Sequence, residues 1–543
     1  MTIAQQKHQQ WLERVTDSEL LAELKGMNAE QIENAFFKDL SFGTAGLRGI
    51  LGAGSNCLNV YTVDKATEGI ARVMDRNGQK SVAINFDSRI KSDVFAQRAA
   101  TVFAQHGITV YISTDVMPVS FLSYAVRKLH CDVGVMITAS HNPAIYNGYK
   151  VYESTGYQCT DYSASVYADE INTIDQFNVQ HADYQQAVES GLIKTIDCHA
   201  EYLEEVYKLN MQSIRGLSVV YSPLNGAGYK VVPYVLEKYG AQVTIVPEQA
   251  LPDGNFPTCP YPNPEKRETL QLGLKLAQKI NAPIVLATDP DCDRVGVAVL
   301  HNGEYVCISG NEMGALLADF VLSKRQGKTN MIYKTIVSSD IAMEIAKHYG
   351  SGVKEILTGF KYIGEQIAFL EKDGRQDEFA LGYEESYGYL ATPAFRDKDG
   401  VGTCYLICQM VQYYLQQGLS LVDRMNQLYD QYGYYHHETI SFAFEGATGF
   451  AKMQTLLAGL RERPLTQIGD NKVVKCIDYL TQTELDIPKA DVLSYYLNKA
   501  KVMVRPSGTE PLVKVYLTAV GDREFCANKI EELKKAMTKV LLG

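Results

Sequence analysis

The segment ATDPDCDRVGV, Ala287 to Val297, places carboxylates at alternate positions, Asp289, Asp291 and Asp293, directly after the apolar run from Ala282 to Leu286. Three acidic side chains on one tight loop can converge on a single cation. With no His or paired thiolate pattern beside them, the donor set favours a hard divalent ion, Mg²⁺ above all where a phosphate must also coordinate. The twelve-residue calcium loop with its central Gly and terminal Glu is missing, and a solvated acidic turn is the non-chemical alternative. Arg294 comes next in the chain and could reach the same phosphate. A second segment, VGVMITASHNP from Val133 to Pro143, reads as a buried strand emptying into a polar loop, with Ser140 presented on a stiff, exposed turn. Serine is a weak nucleophile without a base, a metal or an electrophilic partner, and His141 and Lys150 lie close by.

Other stretches offer binding groups. In LGYEESYGYL, Glu384, Glu385 and Ser386 supply acceptors and a hydroxyl of the kind that grips adjacent sugar hydroxyls. Just downstream, Lys398 sits between two aspartates, fit for acid–base work or for surface ion pairing. In VRPSGTEPLVKVYL, Arg505, Ser507, the Gly508 backbone, Thr509 and Lys514 form a run of donors with Glu510 as the first carboxylate, which is what a phosphate dianion needs. The loop SFGTAGLRG adds Arg48 among three glycines, a pattern suited to an anion. Taken singly, each also reads as an ordinary polar turn.

The elements that must position these loops repeat. From Ser81 the chain runs strand, polar loop, helix, Gly-marked turn and strand, and the phrase returns from Leu217 and from Met331. His106-Gly107, Tyr239-Gly240 and Tyr349-Gly350 mark the three helix ends. Residues 1 to about 40 read as helical, with Thr16 or Asp17 capping SELLAELKGM. From about Tyr434 the pattern changes to antiparallel strands with a closing helix. The expected fold is three related mixed α/β domains plus a C-terminal α+β domain around one central cleft. Its expected domains are 1–205 (helical extension and serine loop), 206–318 (metal loop), 319–432 (sugar loop) and 433–543 (phosphate loop).

Composition excludes several classes. A chain of 543 residues that is 46% hydrophobic and 21% charged is folded and multidomain, not disordered. A formal charge of −11 argues against a general nucleic-acid surface, so any anion must meet a local basic cluster. No run is apolar enough for a membrane span, and the amphipathic N-terminus lacks a secretory core; together with dispersed cysteines these predict a cytoplasmic protein with reduced thiols.

TASHNP, DPDCDR, GYEESYG and RPSGTEP, in that order across residues 40 to 540, resemble the motifs of the α-D-phosphohexomutases, the phosphoglucomutase/phosphomannomutase superfamily. The resemblance implies that Ser140 is the phosphorylated serine and that Asp289, Asp291 and Asp293 hold Mg²⁺ together with it. Glu384 and Ser386 would contact sugar hydroxyls, and Arg505, Ser507 and Thr509 the non-reacting phosphate. Lys150 and Lys398 match lysines near the transferred proton; Arg48, His141 and Arg294 match positions beside the phosphoserine; Thr358, Gly359 and Lys361 match a sugar-orienting loop. The implied reaction interconverts hexose 1-phosphate and hexose 6-phosphate through a bisphosphorylated sugar, with a compound such as glucose 1,6-bisphosphate as activator. The tyrosines in GYEESYG are closer to the longer phosphoglucomutase and phosphopentomutase-like branch, which favours glucose over mannose or pentose phosphates. The implied protein is a monomer or dimer with a small-molecule partner. The competing classes are a metal-dependent phosphatase, for which separate sugar and phosphate loops are superfluous, and a non-catalytic sugar-phosphate sensor, which would not need an intact serine and triad.

Overall fold

The computed structural model describes residues 1–444, 446–506 and 512–542, with the backbone alone at 446–448 and 450. The chain forms two compact units, Met1–Gly310 with Phe360–Ser420 and Asn311–Gly359 with Leu421–Gly543.

In the first unit, Ser81–Phe86 pairs in parallel with Thr109–Ile112 and with Val133–Ile137, as the strand–helix–strand reading predicts. The order of this sheet is Leu47–Ile50, Tyr146–Glu153, Val133–Ile137, Ser81–Phe86, Thr109–Ile112, Ile193–Thr195, and Tyr146–Glu153 runs antiparallel to both of its neighbours. Residues on both faces are buried, Val82, Ile84, Val133 and Val135 among them, because helices cover each side. A second sheet has the order Glu304–Ile308, Val295–His301, Ile284–Thr288, Ser218–Ser222, Gln242–Ile245. Both sheets carry their site loop on the antiparallel turn out of a buried strand, after Ile137 in one and after Thr288 in the other. The hairpin of Phe379–Glu384 with Gly388–Leu390 supplies the third loop.

The N-terminal stretch is three helices, Ile3–Arg14, Ser18–Gly26 and Ala29–Phe36, each begun by a side-chain cap from Thr2, Asp17 and Asn28. Of the two caps expected for the middle helix, Asp17 serves; the Thr16 hydroxyl meets the Tyr61 hydroxyl instead.

In the second unit, Met331–Thr335 and Gly352–Ile356 pair in parallel across the helix Ile341–His348. The C-terminal part is an antiparallel sheet ordered Tyr434–Ala443, Leu512–Gly521, Ala500–Pro506, Leu493–Leu497, Lys475–Asp478, closed by the helix Arg523–Leu542. A further helix, Gly446–Glu462, has no counterpart in the sequence reading. Gly107, Gly240 and Gly350 all take positive φ, as the helix-end reading requires.

His106, at the C-terminal end of the helix Ser92–Gln105, bonds Glu68 at 2.9 Å and Asp75 at 2.7 Å. The hydrogen bond that His106 donates to Glu68, then the one to Asp75, raises its pKa above the ordinary 6.5, against the opposing effect of burial. With the folded value above the unfolded one, this stabilisation is complete below about pH 6.5 and lost as pH rises through the folded value. His106→Gln should therefore cost about 0.5–1 kcal/mol at pH 6 and less at pH 9, read by urea unfolding at both.

Candidate active site

Within the first unit, the serine loop and the carboxylate loop meet. The Ser140 hydroxyl donates to Asp289 Oδ2 at 3.1 Å and lies 3.1 Å from His141 Nδ1. Ser140 is 4% exposed, which overturns the expectation of an exposed turn: the loop protrudes from its own sheet, but the second sheet's loop covers it with polar groups. Ser140 also has φ +52°, in the left-handed region that non-glycine residues adopt at a cost of about 1–3 kcal/mol.

The carboxylates of Asp289, Asp291 and Asp293 offer oxygens all within 4.8 Å of one another, and all three residues are buried. Burial, then the charges of Asp293 and Asp291, drives the Asp289 pKa well above the usual carboxylate range, and burial combined with the Asp291 charge raises that of Asp293. Burial acts upward on Asp291 too, but Lys150 holds it down at about 2. Lys150 Nζ lies 3.0 Å from Asp291 and 3.9 Å from Asp293. Lys398 Nζ lies 3.2 Å from Asp293 and 3.3 Å from Asp397. Burial would lower its pKa, yet Asp293 and then Asp397 raise it, so the ammonium stays protonated. Both lysines expected from the sequence thus border the triad.

Local structure explains their placement. Lys150 sits on Tyr146–Glu153, paired opposite Met136 of the strand that leads to Ser140. Asp399 caps the helix Gly400–Leu415 through the Val401 and Gly402 amides, which fixes the turn holding Lys398. Asp397, which no sequence motif marks as functional, accepts from the Tyr152 hydroxyl at 2.7 Å and from the Lys398 amide at 2.8 Å.

The sugar-loop candidate joins the same constellation. Arg294 and Gly388 form a backbone bridge, and the Val295 amide donates to Tyr387 O at 3.1 Å. A Cβ on Gly388 would lie 2.2 Å from Lys398 Cδ, so this position needs glycine for close approach. Glu384 is 6% exposed on this hairpin and Ser386 half-buried, whereas Tyr383 is fully buried and serves packing. Arg294 pairs with Glu265, a residue without any motif to mark it, and its Nε lies 4.0 Å from Asp289 and 3.9 Å from Asp293. Arg48 donates to Asn142 Oδ1 at 3.3 Å. His141 is pushed well below its usual pKa by burial, then by Arg294, Arg48 and Arg89, so it is neutral. Lys361 binds Asp161, which also takes the Tyr362 hydroxyl at 3.1 Å.

The remaining candidates belong to the second unit. Thr358 Oγ1 is buried without a hydrogen-bond partner, and Gly359 has φ +123°. Arg505 and Lys514 stand directly opposite each other across an antiparallel pair. Like charges so placed repel, and among the described residues neither makes an ion pair, a placement suited to an anion. Ser507, Gly508 and Thr509 lie outside the described residues.

A buried hydroxyl against a carboxylate triad, flanked by two lysines and an arginine, is the equipment of a phosphoryl-transfer enzyme. Comparison with known proteins narrows the class. Residues 39–177, 200–303 and 309–432 match the phosphoglucomutase/phosphomannomutase alpha/beta/alpha domains I, II and III, and residues 461–535 the C-terminal domain of the same family. The chain is 34% identical over 531 residues to a phosphoglucomutase of Staphylococcus saprophyticus, covering 94% of this chain and 95% of that one. A phosphoglucomutase of Staphylococcus epidermidis is also 34% identical, with 96% and 98% covered. Among solved structures, a putative phosphomannomutase from Thermus thermophilus matches with TM-score 0.70 at 22% identity, covering 93% of this chain and 100% of that one. The phosphoglucomutase parafusin from Paramecium matches with TM-score 0.71 at 16% identity, with 92% and 94% covered. The chain belongs to the phosphoglucomutase/phosphomannomutase family. Among the described residues no helix is long and apolar enough to cross a membrane.

Proposed function

We propose that this chain is a phosphosugar mutase interconverting hexose 1-phosphate and hexose 6-phosphate, with glucose as the sugar, through a phosphoserine at Ser140 and a bisphosphorylated intermediate. The observation that carries the reading is the Ser140 hydroxyl 3.1 Å from Asp289 with Lys150 and Lys398 on the same triad. In this reading the P–Oγ bond of phosphorylated Ser140 breaks as a bond forms to a sugar hydroxyl, whose proton ends on the departing Ser140 Oγ, while the ammonium groups of Lys150 and Lys398 offset the negative charge beside them. The bisphosphorylated sugar then turns and returns its other phosphoryl group to Oγ, which the reverse proton movement completes.

Asp289, Asp291 and Asp293 fit a divalent cation: Oδ1 of both Asp291 and Asp293 is buried without a hydrogen-bond partner. Mg²⁺ suits this all-oxygen set and, when bound, neutralises charge on the transferred group. Glu384 and Ser386 are the groups we assign to sugar hydroxyls, with Thr358, Gly359 and Lys361 helping to orient the ring. Arg505, Ser507, Gly508, Thr509 and Lys514 are assigned to the phosphate that is not transferred. Arg48, His141 and Arg294 are assigned to the neighbourhood of the phosphoserine.

The test is turnover on the 1-phosphates of glucose, mannose, ribose and glucosamine, with a catalytic amount of glucose 1,6-bisphosphate as activator. Fastest turnover on glucose 1-phosphate, with dependence on the activator and no release of inorganic phosphate, is the expected result. Preference for mannose or ribose would reassign the sugar, and stoichiometric phosphate release would make the chain a phosphatase.

A further inference from the structure

We propose that Arg89 is a positioning residue for phosphoryl transfer, holding Ser140 in the left-handed conformation that aims its Oγ at the carboxylate triad; this rests on the phosphoserine reading above. The Arg89 side chain is fully enclosed, and its guanidinium is spent on the serine loop. Nη2 donates to Ser140 O at 2.6 Å and to Asn142 O, while Nη1 donates to Pro143 O at 3.0 Å and Tyr146 O at 2.9 Å. A planar fork captures four carbonyls on one loop, which the compact ammonium of lysine cannot do.

The other end of Ser140 leads back to the same place. Its amide donates to Thr138 Oγ1 at 2.8 Å, and that hydroxyl donates to Asp87 Oδ2 at 2.6 Å. Asp87 Oδ2 lies 3.3 Å from Arg89 Nε. Both the N–H and the C=O of Ser140 therefore end on one buried ion pair. From the second sheet's side, the Phe256 ring faces the guanidinium, its centroid 5.2 Å from Cζ.

The neighbouring loops show what Arg89 replaces. Cys292 and Tyr387 are also left-handed, with φ +54° and +67°, and their carbonyls are taken by the backbone amides of Gly400 and Val295. The Ser140 carbonyl is taken by a charged side chain instead. Ser140 is also the residue whose side chain must alternate between a hydroxyl and a phosphoryl group carrying about −1.5 to −2 charge. Because the four carbonyls direct their negative ends onto Arg89, they do not face the arriving dianion, and the loop keeps its shape through both states.

The full-length protein carrying Arg89→Lys or Arg89→Gly tests this. Expected are a fall in kcat of about 100-fold, a KM for glucose 1-phosphate changed less than about threefold, and faster amide exchange confined to residues 138–147. Ethylguanidinium should restore part of the lost kcat in Arg89→Gly. Wild-type kcat despite faster loop exchange would overturn the proposal, as would lost kcat with exchange at the wild-type level. Should the arginine variants not fold, Thr138→Val removes just the bridge from Asp87 to the Ser140 amide, and unchanged kcat there would equally overturn it. Full turnover by Ser140→Ala would remove the phosphoserine reading instead, while loop exchange in the Arg89 variants would still report on the clamp.

Discussion

Ser140→Ala should abolish mutase turnover, by about 10⁴-fold or more, while sugar-phosphate affinity stays within about threefold of wild type. Without Oγ there is no atom to carry the phosphoryl group between the two half-reactions, and direct transfer from one sugar to another would need two sugars in the site at once. The fold should survive. The lost side-chain contacts are the bond to Asp289 and the contact with His141, worth about 1 kcal/mol each, and alanine bears the left-handed backbone no worse than serine does. Incubation with bisphosphorylated sugar labelled in its phosphate should mark the wild-type chain at a peptide containing Ser140 and leave the variant unlabelled. Wild-type turnover or labelling elsewhere in Ser140→Ala would sink the assignment of the nucleophile.

Why that serine is legible in the sequence, and its surroundings are not, is a matter of what travels with local pattern. The strand Val133–Ile137 and the loop after it can be read because apolar run and polar turn adjoin. Alternate aspartates announce a cation loop for the same reason. The left-handed conformation of Ser140 has no compositional signal, since glycine or asparagine would normally mark such a position and neither is there. Its burial is equally silent, because the covering loop comes from a different sheet, 149 residues onward. Arg89 is hidden for a similar reason: SRIKSD reads only as the polar loop between strand and helix, yet the register of Ser81–Phe86 beside Val133–Ile137 carries it beneath the serine loop. In the N-terminal region the reverse holds. Capping residues Thr2, Asp17 and Asn28 are local signals, and the three helices begin where they stand.

Removing divalent cations should cost the second-largest share of activity, about 10³-fold, with restoration on adding Mg²⁺. The reason is charge. Asp289, Asp291 and Asp293 crowd together beside Lys150, Lys398 and Arg294, essentially inaccessible to water, and burial with mutual repulsion pushes the Asp289 and Asp293 carboxyls toward the neutral form. Phosphorylation of Ser140 adds about −2, and a divalent cation adds the compensating +2. The two unpartnered oxygens, Oδ1 of Asp291 and of Asp293, are the measure of what the protein leaves unsatisfied for it. Stability gives a readout independent of catalysis: Mg²⁺ at a hundred times its dissociation constant should add about 2.7 kcal/mol, visible as a rise in melting temperature. Asp291→Asn keeps the volume but removes one charge and the partner of Lys150, so it should reduce that rise and the turnover together. Ser140→Ala should retain most of the rise, because the triad remains. Undiminished turnover in chelated protein, with no shift on adding Mg²⁺, would mean that the lysines and Arg294 suffice to neutralise the triad, and that the loop at 289–293 is built for ion pairs alone.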